Sequence, residues 1–198
     1  MNRAEKNRAI ISAAVLAIIA TATVACTSSP STITGTSTTS PGKGGPTSTP
    51  DVAQVPSLLQ TGIAQTSQQN WSAAMTTFEN VLAISPTNVY ANYDLGVIAQ
   101  TNGNSAEAIG YYDKALAANA AYTPAIYNEA ILLESTEPAQ AIAMYQKIVS
   151  IDPKAATAYL RLALVQAELG NSTAAKANDA KAVSLDPSLS KYKFPAKN

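Results

Sequence analysis

Residues 89–116 read Val89-Tyr90-Ala91-Asn92-Tyr93-Asp94-Leu95-Gly96-Val97-Ile98-Ala99-Gln100, then Thr101-Asn102-Gly103-Asn104, then Ser105-Ala106-Glu107-Ala108-Ile109-Gly110-Tyr111-Tyr112-Asp113-Lys114-Ala115-Leu116. In the last stretch Ala108, Tyr112 and Ala115 stand at i, i+4 and i+7, which marks one apolar face of a helix. Gly96 and Ala108 are small enough to let two helices of a hairpin approach closely. Asn104, with Glu107 three residues later, is a capping-box-like pair at the start of the second helix. The stretch therefore predicts two helices separated by a short turn.

The same hairpin recurs along the chain. Phe78, Tyr112 and Tyr145 fill one slot and Asp179 stands in it the fourth time, at spacings of 34, 33 and 34 residues. This register divides the chain into units at 55–88, 89–122, 123–155 and 156–189. Small residues align with it, as Gly62, Gly96, Ala130 and Ala163 on the first helix and Ala74, Ala108, Ala141 and Ala175 on the second. Ala74, Phe78 and Val81 repeat the apolar face, as do Ala141, Tyr145 and Ile148. Pro86, Pro153 and Pro187 each follow Ser or Asp where a second helix should stop, because proline disfavours helix at the residue before it. Pro124 and Pro138 suit a first helical turn. The third unit is one residue short between Glu134 and Ala141, which predicts a trimmed turn. A fixed period of this size signals stacked repeats whose core is shared between neighbours. A charge at Asp179 would be costly under a fifth hairpin, so the array ends there, with Tyr192 and Phe194 as candidates for a short cap over its outer face.

The segment 55–189 resembles the tetratricopeptide repeat on the residues just quoted. The resemblance implies an all-α fold, a right-handed superhelical α-solenoid of four helical hairpins. It also implies that the first helix of each hairpin lines a concave face, which here places Leu59, Ile63, Tyr90, Tyr93, Asp94, Val97, Tyr127, Asn128, Ile131, Leu160, Arg161 and Leu164 on a mostly apolar and aromatic lining. Rigid aromatic side chains on a concave surface are frequent binding anchors. Some family members clamp a peptide carboxylate with basic and amide residues. Asn128 and Arg161 match two of those positions, while Tyr93, Val97 and Thr157 replace the others, so an extended apolar or tyrosine-contacting peptide is the expected ligand. Tyr111, Tyr112, Tyr145 and Tyr159 fall where the family carries aromatics for packing.

Residues 1–25 read as a signal peptide. Arg3, Lys6 and Arg8 precede a 16-residue run, Ile10 to Ala25, that is apolar except for Ser12, Thr21 and Thr23. A basic start and a short apolar run ending in small residues describe such a signal, and the run falls short of the roughly 20 residues of a membrane-spanning helix. Thr23-Val24-Ala25-Cys26 resembles the lipobox of bacterial lipoproteins, with Thr23 where leucine is preferred. The resemblance implies lipid on Cys26 and attachment to the extracytoplasmic face of the cell membrane. Simple cleavage near Ala20-Thr21-Ala22 and an uncleaved signal anchor are the other readings. Between this signal and the repeats, residues 26–54 read as a tether. From Thr27 to Gln54 there are 28 residues, of which 14 are Ser or Thr, 4 Pro and 4 Gly, too polar to form a core. A flexible chain of that length spans about 30 Å and so holds a domain off a membrane without fixing its orientation.

Cys26 is the sole cysteine and there is no histidine, which removes intramolecular disulfides, the commonest general base and the commonest zinc ligand. Residues 55–189 carry 6 Lys plus Arg against 11 Asp plus Glu, a net of −5, which speaks against nucleic acid as a partner. Residues 190–198 are a tail or short cap carrying Lys191, Lys193 and Lys197. No phosphate loop, metal cluster or nucleophile elbow appears, and the carboxylates Glu134 and Glu137 fall at helix ends where solvated acids are common. The expectation is a protein without cofactor, metal or catalytic activity. It would be a membrane-tethered scaffold that binds another protein or peptide in the cell envelope. The alternative is a structural or assembly factor, pilotin-like or self-associating, without a groove role.

Overall fold

A computed structural model describes residues 51–192. The signal sequence, Cys26, the tether up to residue 50, and Phe194 with Lys193 and Lys197 lie outside the described residues. Eight α-helices follow one another among them: α1 Val55–Ser67, α2 Trp71–Ile84, α3 Val89–Thr101, α4 Ser105–Ala118, α5 Thr123–Leu133, α6 Pro138–Ile151, α7 Ala156–Glu168 and α8 Ser172–Leu185. A 3-10 turn, Val52–Gln54, leads into α1, and a second, Pro187–Lys191, follows α8. Val52–Gln54 is therefore not part of an unstructured tether, although nothing in it is buried. Its turn continues into α1 because Pro56 sits in the first helical turn, where its missing N–H costs nothing.

The helices pair as four hairpins, α1/α2, α3/α4, α5/α6 and α7/α8, and each hairpin packs on the next. First helices also touch across the stack, α1 with α3 and α3 with α5. This is a helical solenoid, and its core is shared. One apolar cluster joins Phe78 and Val81 of the first hairpin to Ala91, Leu95 and Ile98 of the second. Another joins Tyr112 and Ala115 to Ala125 of the third. Phe78, Tyr112 and Tyr145 have no exposed surface. Room for two of those rings comes from the small residues opposite them. A Cβ on Gly62 would lie 2.6 Å from the Phe78 ring, and one on Gly96 2.5 Å from that of Tyr112.

Chain turns follow local chemistry. Asn70 and Asn88 cap α2 and α3 by accepting from the N–H of Ala73 and Ala91, at 3.4 and 3.0 Å. At α4 the expected capping box is not made, because Asn104 donates its side-chain N–H to Glu107 at 3.2 Å instead of accepting from backbone. Gly103 and Gly170 turn two of the hairpins at φ of +82° and +85°, and Gln69 does the same in the first at +59°. The third hairpin turns through residues 134–137 without a positive φ, and the residue its spacing lacks is not taken from the turn as expected: α5 stops early, at 11 residues against 13 in the other first helices.

The array closes on the 3-10 turn after α8. Leu189 is buried against Leu160 and Ala182, with Tyr192 packed beside them. Asp179, half-buried, is not wholly wet, since its Oδ1 is sealed from solvent and has no hydrogen-bond partner.

Candidate functional site

The first helices α1, α3, α5 and α7 carry the aligned quartets Leu59-Gln60-Thr61-Gly62, Tyr93-Asp94-Leu95-Gly96, Tyr127-Asn128-Glu129-Ala130 and Leu160-Arg161-Leu162-Ala163. In the last three hairpins the third members point into the stack, with Leu95, Glu129 and Leu162 at 1%, 4% and 2% exposure. The first and second members include seven of the residues that the resemblance assigns to the concave face, Leu59, Tyr93, Asp94, Tyr127, Asn128, Leu160 and Arg161.

Of the expected lining, Ile63 and Tyr90 are exposed, at 49% and 53%. Leu59, Tyr93, Asp94 and Leu164 are half-buried. Val97, Tyr127, Asn128, Ile131, Leu160 and Arg161 are buried. The accessible part of the expected lining is thus concentrated on the first two hairpins.

Buried polar side chains there are spent on holding hairpins together. In every hairpin an oxygen near the end of the first helix accepts from the second. Gln65 accepts from Thr77 at 2.8 Å, Gln100 from Tyr112 at 2.6 Å, Glu134 from Tyr145 at 2.7 Å and Gln166 from Asn178 at 2.8 Å. Phe78 and Asp179 offer no suitable hydroxyl, and the residues before them, Thr77 and Asn178, supply the donor instead. The next hairpin then adds a donor to the same tyrosine hydroxyls. Asn128 Nδ2 reaches the oxygen of Tyr112 at 3.4 Å and that of Tyr93 at 3.3 Å. Arg161 donates to the Tyr145 oxygen at 3.5 Å and, through Nε and Nη2, to both oxygens of Glu134 at 2.7 and 2.5 Å. The two residues that match a carboxylate clamp are therefore already committed inside the molecule. Glu134 is not a solvated helix-end acid, as its position suggests, but the partner of a buried guanidinium.

Burial disfavours charge on both members of that pair. On Arg161 the neighbouring Tyr145, Glu134 and Tyr127 outweigh it and raise the pKa further above its ordinary value. On Glu134 burial outweighs Arg161 and Tyr145, and the carboxyl sits above its usual range. The bidentate geometry needs two donors and two acceptor oxygens, which the ionic form supplies.

On the second hairpin four tyrosines meet. Tyr122 stands edge-on to Tyr90, with ring centres 5.8 Å apart, and to Tyr93, at 5.4 Å. Tyr93 also lies 6.0 Å from Tyr112. Burial, then the Asp94 charge, pushes Tyr93 up to about 12. Burial alone lifts Asp94 from 3.8 to about 7. Asp94 makes no hydrogen bond and no ion pair among the described residues.

Sequence reasoning missed the hydrogen-bond ladder. Its signal is a Gln or Glu recurring 11 or 12 residues before a Thr, Tyr or Asn, a spacing shared by the four bonds. Among the described residues no group of three or more potential metal ligands forms, and no helix is long and apolar enough to cross a membrane.

The tetratricopeptide repeat family model matches residues 59–123 and 131–189. No curated protein matches the chain. Among solved structures it is similar to MamA, at 26% identity and a TM-score of 0.63, over 72% of this chain and 84% of that one. It is similar in fold to PilF of Pseudomonas aeruginosa, at 22% identity and 0.62, over 69% and 64%. It is also similar in fold to YrrB, described as a TPR protein with an unusual peptide-binding site, at 20% and 0.59, over 69% and 71%.

Proposed function

The chain belongs to the tetratricopeptide repeat family, whose fold supports a protein–protein interaction scaffold, and on that premise we propose that it acts in the bacterial cell envelope, tethered by lipid on Cys26, and holds a partner polypeptide on its concave face. The observation that carries the reading is the exposure of Tyr90 and Ile63 on first helices, where solvated aromatic and aliphatic side chains do nothing for the core. Leu59, Tyr93 and Leu164 extend the surface at half exposure. Apolar surface left in water on the inner side of a repeat array is most simply surface that a partner covers. Asn128 and Arg161 are spent on internal hydrogen bonds, whereas Asp94 is not.

Two experiments test it. Crosslinking in native membranes, followed by capture of the full chain, should recover a partner whose yield drops with Tyr90→Ala and Ile63→Ser. Unchanged recovery with the helical circular dichroism intact would remove the concave face as the site. For the tether, Cys26→Ser should release the protein from membranes or leave an unprocessed precursor. Retention with an unchanged N-terminal mass would instead favour the uncleaved anchor.

A further inference from the structure

The slot occupied by Asp94 has a clear duty in the two hairpins that follow. Asn128 and Arg161, which align with it, each donate to a tyrosine hydroxyl sixteen residues earlier, on the second helix of the hairpin before. Sixteen residues before Asp94 stands Phe78, which has no hydroxyl. The slot here carries an acceptor where its counterparts carry donors, and the internal partner those donors use does not exist. What remains is a half-buried carboxylate with no hydrogen bond or ion pair among the described residues.

Its surroundings are aromatic. Tyr90 and Tyr93 lie three positions apart on α3 and therefore on one face of the helix. Tyr122, from the turn before α5, closes on both rings edge-on at 5.8 and 5.4 Å. Asp94 lies within electrostatic reach of Tyr93, Tyr122 and Tyr112. Tyr90, at 53% exposure, is more accessible than the Tyr93 and Tyr122 rings. Ring faces attract cations through their quadrupole, and a carboxylate in a site sheltered from water does so more strongly.

We infer that Tyr90, Tyr93, Tyr122 and Asp94 form a recognition site for a cationic side chain, the ammonium or guanidinium of a lysine or arginine on the partner polypeptide. The inference rests on the concave-face reading and names the chemistry of the partner. Charge complementarity supports it, since residues 55–189 carry a net −5 and would steer a basic segment toward the array. A cation would also supply what the interior lacks, because burial holds the unpaired Asp94 carboxyl near 7. Arg161 cannot take that place from within, as both oxygens of Glu134 hold it at the far end of the array.

The test is an NMR titration of the full chain carrying labelled tyrosine, at pH 8, with three capped tripeptides of the form Gly-X-Gly, where X is lysine, norleucine or glutamate. Lysine should move the Tyr90, Tyr93 and Tyr122 ring signals with an affinity about tenfold above norleucine, and glutamate should leave them still. Asp94→Asn, close to isosteric, should bring lysine down to the norleucine level. Tyr90→Leu, at an exposed position, should weaken lysine severalfold and serves if Asp94→Asn fails to fold. If norleucine binds as well as lysine in the wild type, the cation site is refuted while the concave face survives as an apolar groove. If no tripeptide moves these rings, yet Tyr90→Ala still abolishes partner capture, the cation site again falls alone.

Discussion

Arg161 reaches across from the fourth hairpin to hold both carboxylate oxygens of Glu134 in the third, at 2.7 and 2.5 Å, with side chains 8% and 18% exposed. The Tyr145 hydroxyl donates to the same Glu134 oxygen that Arg161 Nε reaches, so one carboxylate ties a hairpin to itself and to its neighbour. Removing either partner strands a charge in a poorly solvated place. Arg161→Met or Glu134→Gln should each cost about 3 kcal/mol, while the double change should cost clearly less than the sum. Urea unfolding of the four proteins completes the cycle, and additivity of the single effects would show that the pair does not couple.

Glu129 stands where the second and fourth hairpins carry Leu95 and Leu162, and it is 4% exposed with an Oε2 that finds no partner. A leucine there would remove an unsatisfied buried oxygen and add apolar packing. Glu129→Leu should therefore stabilise the protein by about 1–3 kcal/mol, read as a higher urea midpoint. A loss of stability would mean that the carboxylate has a role in the fold that its contacts do not reveal.

The repeat architecture is legible in the sequence because three large residues at one spacing, Phe78, Tyr112 and Tyr145, can be laid against small ones, Gly62, Gly96 and Ala130, that only close packing explains. Exposure on the concave side is less legible. Helix α5 has eight of its eleven residues buried, so Tyr127, Asn128 and Ile131 are enclosed by hairpins on both sides whatever their nominal face. Glu134 departs from its expected solvation because a helix end implies solvent only when no neighbouring hairpin lies over that end. The positive φ at Gln69 has no signal either, since nothing about glutamine announces it, whereas Gly103 and Gly170 at the matching turns do.

Two carboxyls make stability depend on pH. Burial raises Asp94 from 3.8 to about 7, and burial followed by the nearby Asp113 raises Glu129 from 4.5 to about 7. Each binds its proton more tightly in the folded state than in the unfolded one. The resulting stability is fully present below the unfolded pKa values and is lost as pH climbs through 7. The urea midpoint should fall between pH 5 and pH 8 by an amount equivalent to about 1–3 kcal/mol. Asp94→Asn with Glu129→Gln should remove most of that slope, and Glu134, also raised by burial, accounts for the remainder. A midpoint that rises with pH over this window would contradict the burial of both groups.

Gly96 and Gly103 should tolerate a methyl group differently, because each is glycine for its own reason. At Gly96 a Cβ would sit 2.5 Å from a ring that is fully buried and also hydrogen-bonded to Gln100, so the ring cannot swing away without breaking that bond. Gly96→Ala should cost about 2–3 kcal/mol through overpacking. At Gly103 nothing lies within 4 Å of where a Cβ would stand, but φ is +82°. Gly103→Ala should cost about 1 kcal/mol through backbone strain alone. A second change separates the two causes. Tyr112→Phe in the Gly96→Ala background frees the ring from Gln100 and should recover part of the loss, whereas in the Gly103→Ala background it should only subtract. If Gly96→Ala is neutral, the close approach of α3 and α4 that sets the hairpin geometry is wrong.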